Sequence, residues 1–410
     1  MNDEVVAAVA QAHRRDWAQV LATTAHLTRD LDLAEECTQD AFAQALETWA
    51  ETGIPDRPGA WLTTIARNRA RDVLRRESAF RRRMPLLVQD EAVPGPEDGL
   101  VDDRLRLIFT CCHPALSREA QAALTLRLVC GLSTPEVARA FLVQPATMAA
   151  RVTRAKKKIA TARIPYRAPG PDHLEQRVSA VLEVVLLIFT TGHTAPFGAH
   201  LVRRDLVDSA IRLARMLHLL MPTDVEISGL LALLLLTASR LDTRMSDDGR
   251  LVLLSEQDRS RWDRHLIAEG QSLLTDALRR RPPTRYALQA AIAAVHAEAS
   301  TWQDTDWTEV VGLYDALFRL WPSPVVDLNR AVAIGLRDGP RAGLDALTPL
   351  LADPALATYG YLSAARADFL RQLGQWPQAA TAYEEALTLT DNSVERVFLT
   401  ERLTELQQNL

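Results

Sequence analysis

Pro135 and Pro145 each stand where a helix can begin, and they divide Gly131–Ile159, GLSTPEVARAFLVQPATMAARVTRAKKKI, into two short helices about a tight turn. Proline is tolerated in a helix only in its first turn, where a missing N–H breaks no bond. Ser133 or Thr134 is placed to cap the first helix, with Glu136 in its opening turn. Leu132, Val137, Ala138 and Phe141 then pack inward, and Leu142-Val143-Gln144 makes the turn. In the second helix Met148, Val152, Ala155 and Ile159 recur at three- and four-residue steps as a buried stripe. A supporting helix is expected over Glu119–Val129, ended by Cys130-Gly131. A hairpin of this kind suits a DNA major groove. Thr147, Ala150, Arg151 and Arg154 take its exposed side, where Thr can touch a thymine methyl and Arg can fork onto guanine. Lys156, Lys157 and Lys158 would meet phosphate and set register rather than sequence. A plain helical hairpin with a basic end is the alternative.

That basic character is local, because the whole 410-residue chain carries a net charge of only -5. Residues 1–167 hold 24 Lys/Arg against 21 Asp/Glu, and the remainder holds 23 against 31. Within the first part, Arg67–Arg83 has eight arginines against two acids, and Arg139–Arg167 has eight basic residues and no acid. Between them Asp90–Asp103 has six acids and no base in DEAVPGPEDGLVDD, which reads as an acidic, turn-rich connector at about 86–99. The acidic C-terminal half is unsuited to lying along DNA, since its field opposes the phosphates.

Ala and Leu dominate, Gly is sparse, and few segments alternate with period two, so an all-α protein is expected. The start MNDEVVAAVA has no basic region followed by a long apolar run, so a cytoplasmic location is expected. Val178–Phe189 and Leu230–Ala238 are shorter than a membrane span and read as buried helices, so no membrane partner is expected. Four Cys do not make a disulfide framework. Cys111-Cys112-His113, with Cys130, lacks the usual zinc-ligand spacing. Buried thiols are the favoured reading and zinc or redox sensing the other; no cofactor is expected.

The first periodic segment is expected after Thr28–Asp32. In LDLAEECTQDAFAQALETWA one face is Leu33, Ala34, Cys37, Ala41, Phe42, Ala45, Leu46 and Trp49, and the opposite face shows Glu35, Glu36, Gln39, Asp40 and Glu47. That acidic face is either solvated or docks a partner. Pro58 opens GAWLTTIARNRARDVLRRESAFRRR, with Trp61, Leu62, Ile65, Ala66, Val73 and Leu74 buried. Arg67, Arg69, Arg71, Arg75 and Arg76 spread around the rest, and Asp72 can pair with Arg76 or Arg69. Arginine forks suit phosphate, and a nearby Trp can accept unstacked bases, although a solvated Arg-rich face is also open.

In the C-terminal half, Ala367, Leu370, Gly374, Trp376, Ala379, Tyr383 and Ala386 alternate small and large residues as interlocking antiparallel helices require. A degenerate helix pair is expected over Val325–Leu351 and a cap over Val394–Leu406. LSEQDRSRWD holds Glu256, Gln257, Asp258, Arg259, Arg261, Trp262 and Asp263. A catalytic reading makes Glu256 and Asp258 acid and base, with His265 close by. The favoured reading is a salt-bridge network fixing a helix start with Trp262 as anchor, since no nucleophile, metal set or phosphate loop accompanies it.

The order of modules resembles a known family. AEECTQDAFAQALETW with PGAWLTTIARNRARDVLRR is similar to region 2 of bacterial RNA polymerase sigma factors of the extracytoplasmic-function type, and IFTCCHPALSREAQAALTLRLVCGLSTPEVARAFLVQPATMAARVTRAKKKIATARIPYR is similar to their region 4. IFTCCHPAL, LSEQDRSRWD, YALQAAIAAVHAEA, SPVVDLNRAVAI and AARADFLRQLG resemble the subgroup with a long tetratricopeptide-like extension. TTGH (Thr190–His193) departs from that subgroup's Asn-Glu-Gly-Tyr run.

The resemblance implies region 2 over 1–85, region 4 over 100–166 and a helical extension over 167–410 with repeats near 325–406. It implies that Glu35, Glu36, Gln39, Asp40, Phe42 and Trp49 belong to the helix docking on the polymerase clamp helices, with the β-flap a further contact. Trp61, Asn68, Arg69, Asp72, Arg75 and Arg76 then fall in the part that melts and reads the −10 element; Arg67 stands among the same arginines. Thr147, Arg151, Arg154 and Lys158 fall in the −35 reader. The expected partners are core polymerase, promoter DNA and a protein bound by the extension, and no enzyme activity is expected. A stand-alone helix-turn-helix regulator with a C-terminal sensor, or an enzyme built on the C-terminal half, are the competing readings.

Overall fold

The computed structural model describes residues 3–83, 102–141, 143–195, 197–280 and 282–407, and among these the chain is almost wholly helical. It divides into two compact units, Met1–Leu187 and Ile188–Leu410. The expected connector at 86–99 and Leu142 of the turn lie outside the described residues.

The first unit starts with a helix ahead of the first periodic segment of the sequence. Helix α1, Asp3–Thr28, buries Val5, Val9, Trp17, Val20 and Leu21. The buried positions are largely alanines and valines with low apolar contrast to their surroundings, which hid the period. Arg29 then takes a positive φ of 55° to break the chain, and Asp30 caps α2, Leu31–Thr52, by accepting from the backbone N–H of Asp32 and Leu33. Gly53, at φ 84°, ends it. Helix α3, Pro58–Arg83, completes the bundle, with Trp49 and Trp61 meeting edge to face at 5.6 Å.

Helices α4 (Asp103–Cys111), α5 (Arg118–Leu124), α6 (Thr134–Ala140) and α7 (Pro145–Thr161) follow. The expected helix over Glu119–Val129 is not one regular helix. It changes after Leu124 into a π-helical turn, Thr125–Val129, closed by the Cys130 N–H onto the Thr125 carbonyl. Gly131 leaves that turn at φ 74°, and a Cβ there would stand 3.0 Å from the rings of His13 and Trp17. Both backbone and space therefore demand glycine.

Helix α8, Pro171–His193, runs across the division. The second unit continues with α9 (Arg204–Leu220), α10 (Val225–Ala238), α11 (Arg264–Arg279), α12 (Arg285–Glu298), α13 (Trp307–Leu320), α14 (Pro324–Asp338), α15 (Pro340–Leu347), α16 (Gly360–Gln372), α17 (Trp376–Thr388) and α18 (Ser393–Gln407). This is a solenoid-like succession of helix pairs. Ala232, Leu236, Trp262, Ile267 and Ala287 share one core cluster, and Ala367, Leu370, Ala379, Tyr383 and Ala386 another. Gly335 and Gly343 let α14 and α15 approach closely beneath Phe369. The only strands among the described residues, β1 (Phe197–Gly198) and β2 (Asp391–Asn392), pair in parallel and join the first and last parts of this unit. No described helix is long and apolar enough to cross a membrane.

Candidate nucleic-acid interface

The helix-turn-helix is built as its sequence suggests. Ser133 and Glu136 form a reciprocal capping box on α6, and Pro145 opens α7. Met148, Val152, Ala155 and Ile159 are buried, which turns Thr147, Ala150, Arg154, Lys157 and Lys158 out to solvent. Arg151 is half-buried: it pairs with Glu119 at 3.2 Å and lies over the Phe141 ring, 5.7 Å from its centroid. The pair and the ring hold its guanidinium against the helix surface.

Lys156 departs from the expectation of a phosphate contact. Its side chain is only 9% exposed, and its Nζ lies 2.7 Å from Asp32 Oδ1 and 2.6 Å from Glu35 Oε2. Burial lowers the Lys156 pKa, but the hydrogen bonds to the two carboxylates outweigh it and hold the ammonium above its ordinary value. The signal lay in the spacing, for 148, 152 and 156 fall at steps of four on the buried stripe.

Glu35 departs with it. Rather than standing on a solvated face, it is buried, and its other oxygen pairs with Arg127 of the π-helical turn. Arg127 was missed at the sequence level; a lone cation within the apolar run TLRLV was the available clue. Glu36 and Gln39 are exposed, while Asp40 is half-buried and pairs with Arg69 at 2.9 Å. Phe42 and Trp49 are core residues, at 7% and 1% exposure.

On α3 the residues Asn68, Arg69, Asp72, Arg75 and Arg76 are exposed, and Trp61 and Arg67 are half-buried. Asp72 pairs with Arg75 at 3.4 Å rather than with Arg76 or Arg69, since Arg69 reaches across to Asp40. Together, α3 and α7 present two cationic helical surfaces, both in the first unit.

The remaining candidates take structural positions. Asp258 accepts from the Ser260 backbone N–H at 2.9 Å and caps a short 3-10 turn, and Asp263 accepts from the N–H of His265 and Leu266 to cap α11. Trp262 is buried and donates to Thr243 Oγ1 at 3.0 Å, while Gln257 joins the same hydroxyl at 3.1 Å. Arg259 donates to the carbonyls of His296 and Ala299 and to the Thr305 hydroxyl. The expected salt-bridge network is thus chiefly one of caps and carbonyl contacts; Glu256 makes an ion pair, 3.6 Å from Arg402. Cys111 and Cys112 are wholly buried, and burial pushes the Cys112 thiol up to about 11. Among the described residues no group of three or more His, Cys, Asp or Glu could hold a metal ion.

The model of sigma-70 region 2 matches residues 11–80, and that of sigma-70 region 4 matches residues 106–159. Over 156 residues the chain is 30% identical to the ECF RNA polymerase sigma factor SigK of Mycobacterium sp. (strain KMS), spanning 36% of this chain and 78% of that one. The chain belongs to the sigma-70 family. It is thereby a transcription-initiation factor of a non-catalytic family, with region 2 falling on α1–α3 and region 4 on α4–α7. It is also 33% identical over 110 residues to the ECF RNA polymerase sigma factor BldN of Streptomyces coelicolor, covering 26% of this sigma factor and 41% of BldN. Similarity along nearly the whole length comes from an uncharacterized protein of Rhizobium meliloti (strain 1021), 42% identical over 400 residues, or 95% and 93% of the two chains. Residues 177–278 match a family of unknown function, DUF6596. No solved structure matches this sigma factor.

Proposed function

We propose that this chain is a sigma factor of the extracytoplasmic-function type, in which α2 docks on the clamp helices of core RNA polymerase, α3 melts and reads the −10 element and α7 reads the −35 element. Glu36, Gln39 and Asp40 supply the outer docking groups of this helix, which also carries Glu35. Trp61, Arg67, Asn68, Arg69, Asp72, Arg75 and Arg76 serve the −10 element. Thr147 and Arg151 meet base edges, Ala150 and Arg154 share their groove-facing side, and Lys157 and Lys158 meet phosphate. The proposed divisions are 1–85, a linker at 86–99, 100–166 and an extension from 167 with tetratricopeptide-like repeats near 325–406. The β-flap is proposed as the region 4 anchor, the cytoplasm as the location, and regulation through a bound protein as the role of the extension.

The observation that carries this reading is the single-sided cationic surface of α7, with Met148, Val152, Ala155 and Ile159 buried behind it. Run-off transcription with purified core polymerase and promoters mapped after controlled expression tests it. The expected result is a discrete transcript that depends on this chain. An identical background with and without the chain overturns it, and operator binding without polymerase would favour a stand-alone regulator.

A further inference from the structure

Arg240, in the second unit, has a fixed backbone and a side chain without a partner. It follows Ser239, which closes α10, and opens the short 3-10 turn Leu241–Thr243. The Asp263 N–H donates to the Ser239 carbonyl at 2.8 Å and the Thr243 N–H to the Arg240 carbonyl at 3.1 Å, so the chain passes this residue in one way. Among the described residues no hydrogen bond or ion pair reaches the Arg240 guanidinium. The side chain is half-buried, and burial, reinforced by Arg244 and Arg259, pulls its pKa down to about 10. At that value it is still a cation at neutral pH. A desolvated charge ordinarily finds an opposite one, yet here the fold sets a cation in place and leaves it open.

Its neighbours share this lack. Tyr314 of α13 is half-buried in the field of Arg240, and among the described residues its hydroxyl has no hydrogen-bond partner. Burial raises its pKa to about 12, so the hydroxyl keeps its proton. Arg244 donates to the His193 carbonyl and to Thr194 Oγ1 at 3.1 Å, and lies 3.2 Å from His193 Nδ1. An arginine N–H only donates, so Nδ1 accepts and the imidazole proton sits on Nε2. That Nε2 is buried without a partner. Burial first, then the charges of Arg244 and Arg240, hold this imidazole neutral. The carboxylates of the neighbourhood are engaged elsewhere: Glu395 accepts from the Tyr361 hydroxyl at 2.6 Å, and Asp304 from the Thr301 N–H and hydroxyl at 3.1 and 2.8 Å. Donors and cations without acceptors are matched by a ligand that only accepts, which is an oxyanion.

We propose that Arg240, Arg244, Tyr314 and His193 bound a site within the second unit for a small organic anion, held by its carboxylate or phosphate group. Arg240 supplies the charge and the fork, Tyr314 and the His193 Nε2–H supply single donors, and Arg244 orients the imidazole from behind. A ligand there joins the end of α8, the turn after α10 and α13, three parts of the unit that are far apart in the chain. The site concerns the second unit alone and stands apart from promoter recognition.

The test is calorimetric titration of the full chain, at constant ionic strength, with inorganic phosphate and separately with succinate, followed by thermal melts. Wild type is expected to bind at least one of them saturably at a single site, and at about ten times the Kd to melt about 3–6 °C higher. A response to phosphate alone identifies a phosphorylated ligand, and to succinate alone a carboxylate. Arg240→Met is expected to weaken binding by at least about tenfold, as loss of a charged hydrogen-bond donor does. Without anion it should melt no lower than wild type, because it removes a desolvated charge that the fold leaves unpaired. Tyr314→Phe should melt as wild type does and weaken binding about threefold to tenfold, the loss of one hydrogen bond. No saturable heat from either ion in wild type overturns the site. So does a saturable heat or melting shift that Arg240→Met retains, which marks general ionic stabilisation. An Arg240→Met chain that melts well below wild type without anion makes Arg240 a structural contact and overturns the site as well.

Discussion

The indole N–H of Trp17, on the first helix, donates to the carbonyl of Leu128, in the π-helical turn, across 3.0 Å of protein interior. This bond links residues 111 positions apart and seats the region 4 fold on α1. Trp17→Phe keeps an aromatic ring but removes the donor. The expected loss is about 1–3 kcal/mol, the cost of stranding a buried polar group, read as a lower urea midpoint for the first unit.

The capping box on α6 gives a more local prediction. Ser133 and Glu136 satisfy each other's backbone N–H groups. Ser133→Ala should cost about 1 kcal/mol and raise amide exchange through α6, while α1–α3 keep their protection. Uniformly faster exchange across the first unit would show that the cap stabilises more than its own helix.

On promoter DNA, phosphate and base contacts separate by salt and by sequence. With reconstituted holoenzyme, Lys158→Ala should weaken all promoters alike and reduce the slope of log affinity against log salt by about 0.9. Arg151→Ala should instead relax preference at one −35 base pair by about 1–3 kcal/mol. A loss from Arg151→Ala that is uniform over every base pair would remove it from base reading and leave it the partner of Glu119.

The second unit should weaken in acid. Burial, reinforced by Arg240 and Arg259, pulls the His296 pKa down from 6.5 to about 4, so the folded protein holds this imidazole neutral. The unfolded chain takes up its proton first. The stabilisation is therefore fully present above pH 6.5 and is lost as pH falls toward about 4, up to roughly 3 kcal/mol in all. His193 is depressed in the same direction, again chiefly by burial, and adds to the trend. Thermal melts across this window should fall with acidification, and His296→Phe, packed against Trp302 and Trp307, should flatten the fall.

The parts legible from sequence were those governed by short-range rules. Pro135, Pro145 and the Ser133–Glu136 spacing specify the helix-turn-helix because caps and prolines act within one turn. The small and large residues from Ala367 to Ala386 likewise report α16 and α17, which lie next to each other in the chain. Helix α1 was not legible, because its alanine-rich buried face contrasts weakly with its surroundings. Nor was the destination of Glu35. A carboxylate on a helix face looks the same in sequence whether it meets water or Lys156, 121 residues away, and only the tertiary fold decides. The carboxylates of LSEQDRSRWD illustrate the converse: Glu256 and Asp258 invite acid–base chemistry by type, yet Asp258 is occupied by the Ser260 N–H at the start of a short turn and Glu256 is paired with Arg402.

The short pairing of Phe197–Gly198 with Asp391–Asn392 alters how the second unit should come apart. The Asn392 side chain is wholly buried, donates to the carbonyls of Ala195 and His200, and caps α18 through the Val394 N–H. An open array of helix pairs can fray from its free end, each repeat answering only to its neighbour. Here the segment before α18 is fastened to the segment after α8, so the last helix is tied to the opposite end of the unit. Loss of that fastening is expected to free both ends at once, so the unit should unfold more cooperatively with the pairing than without it.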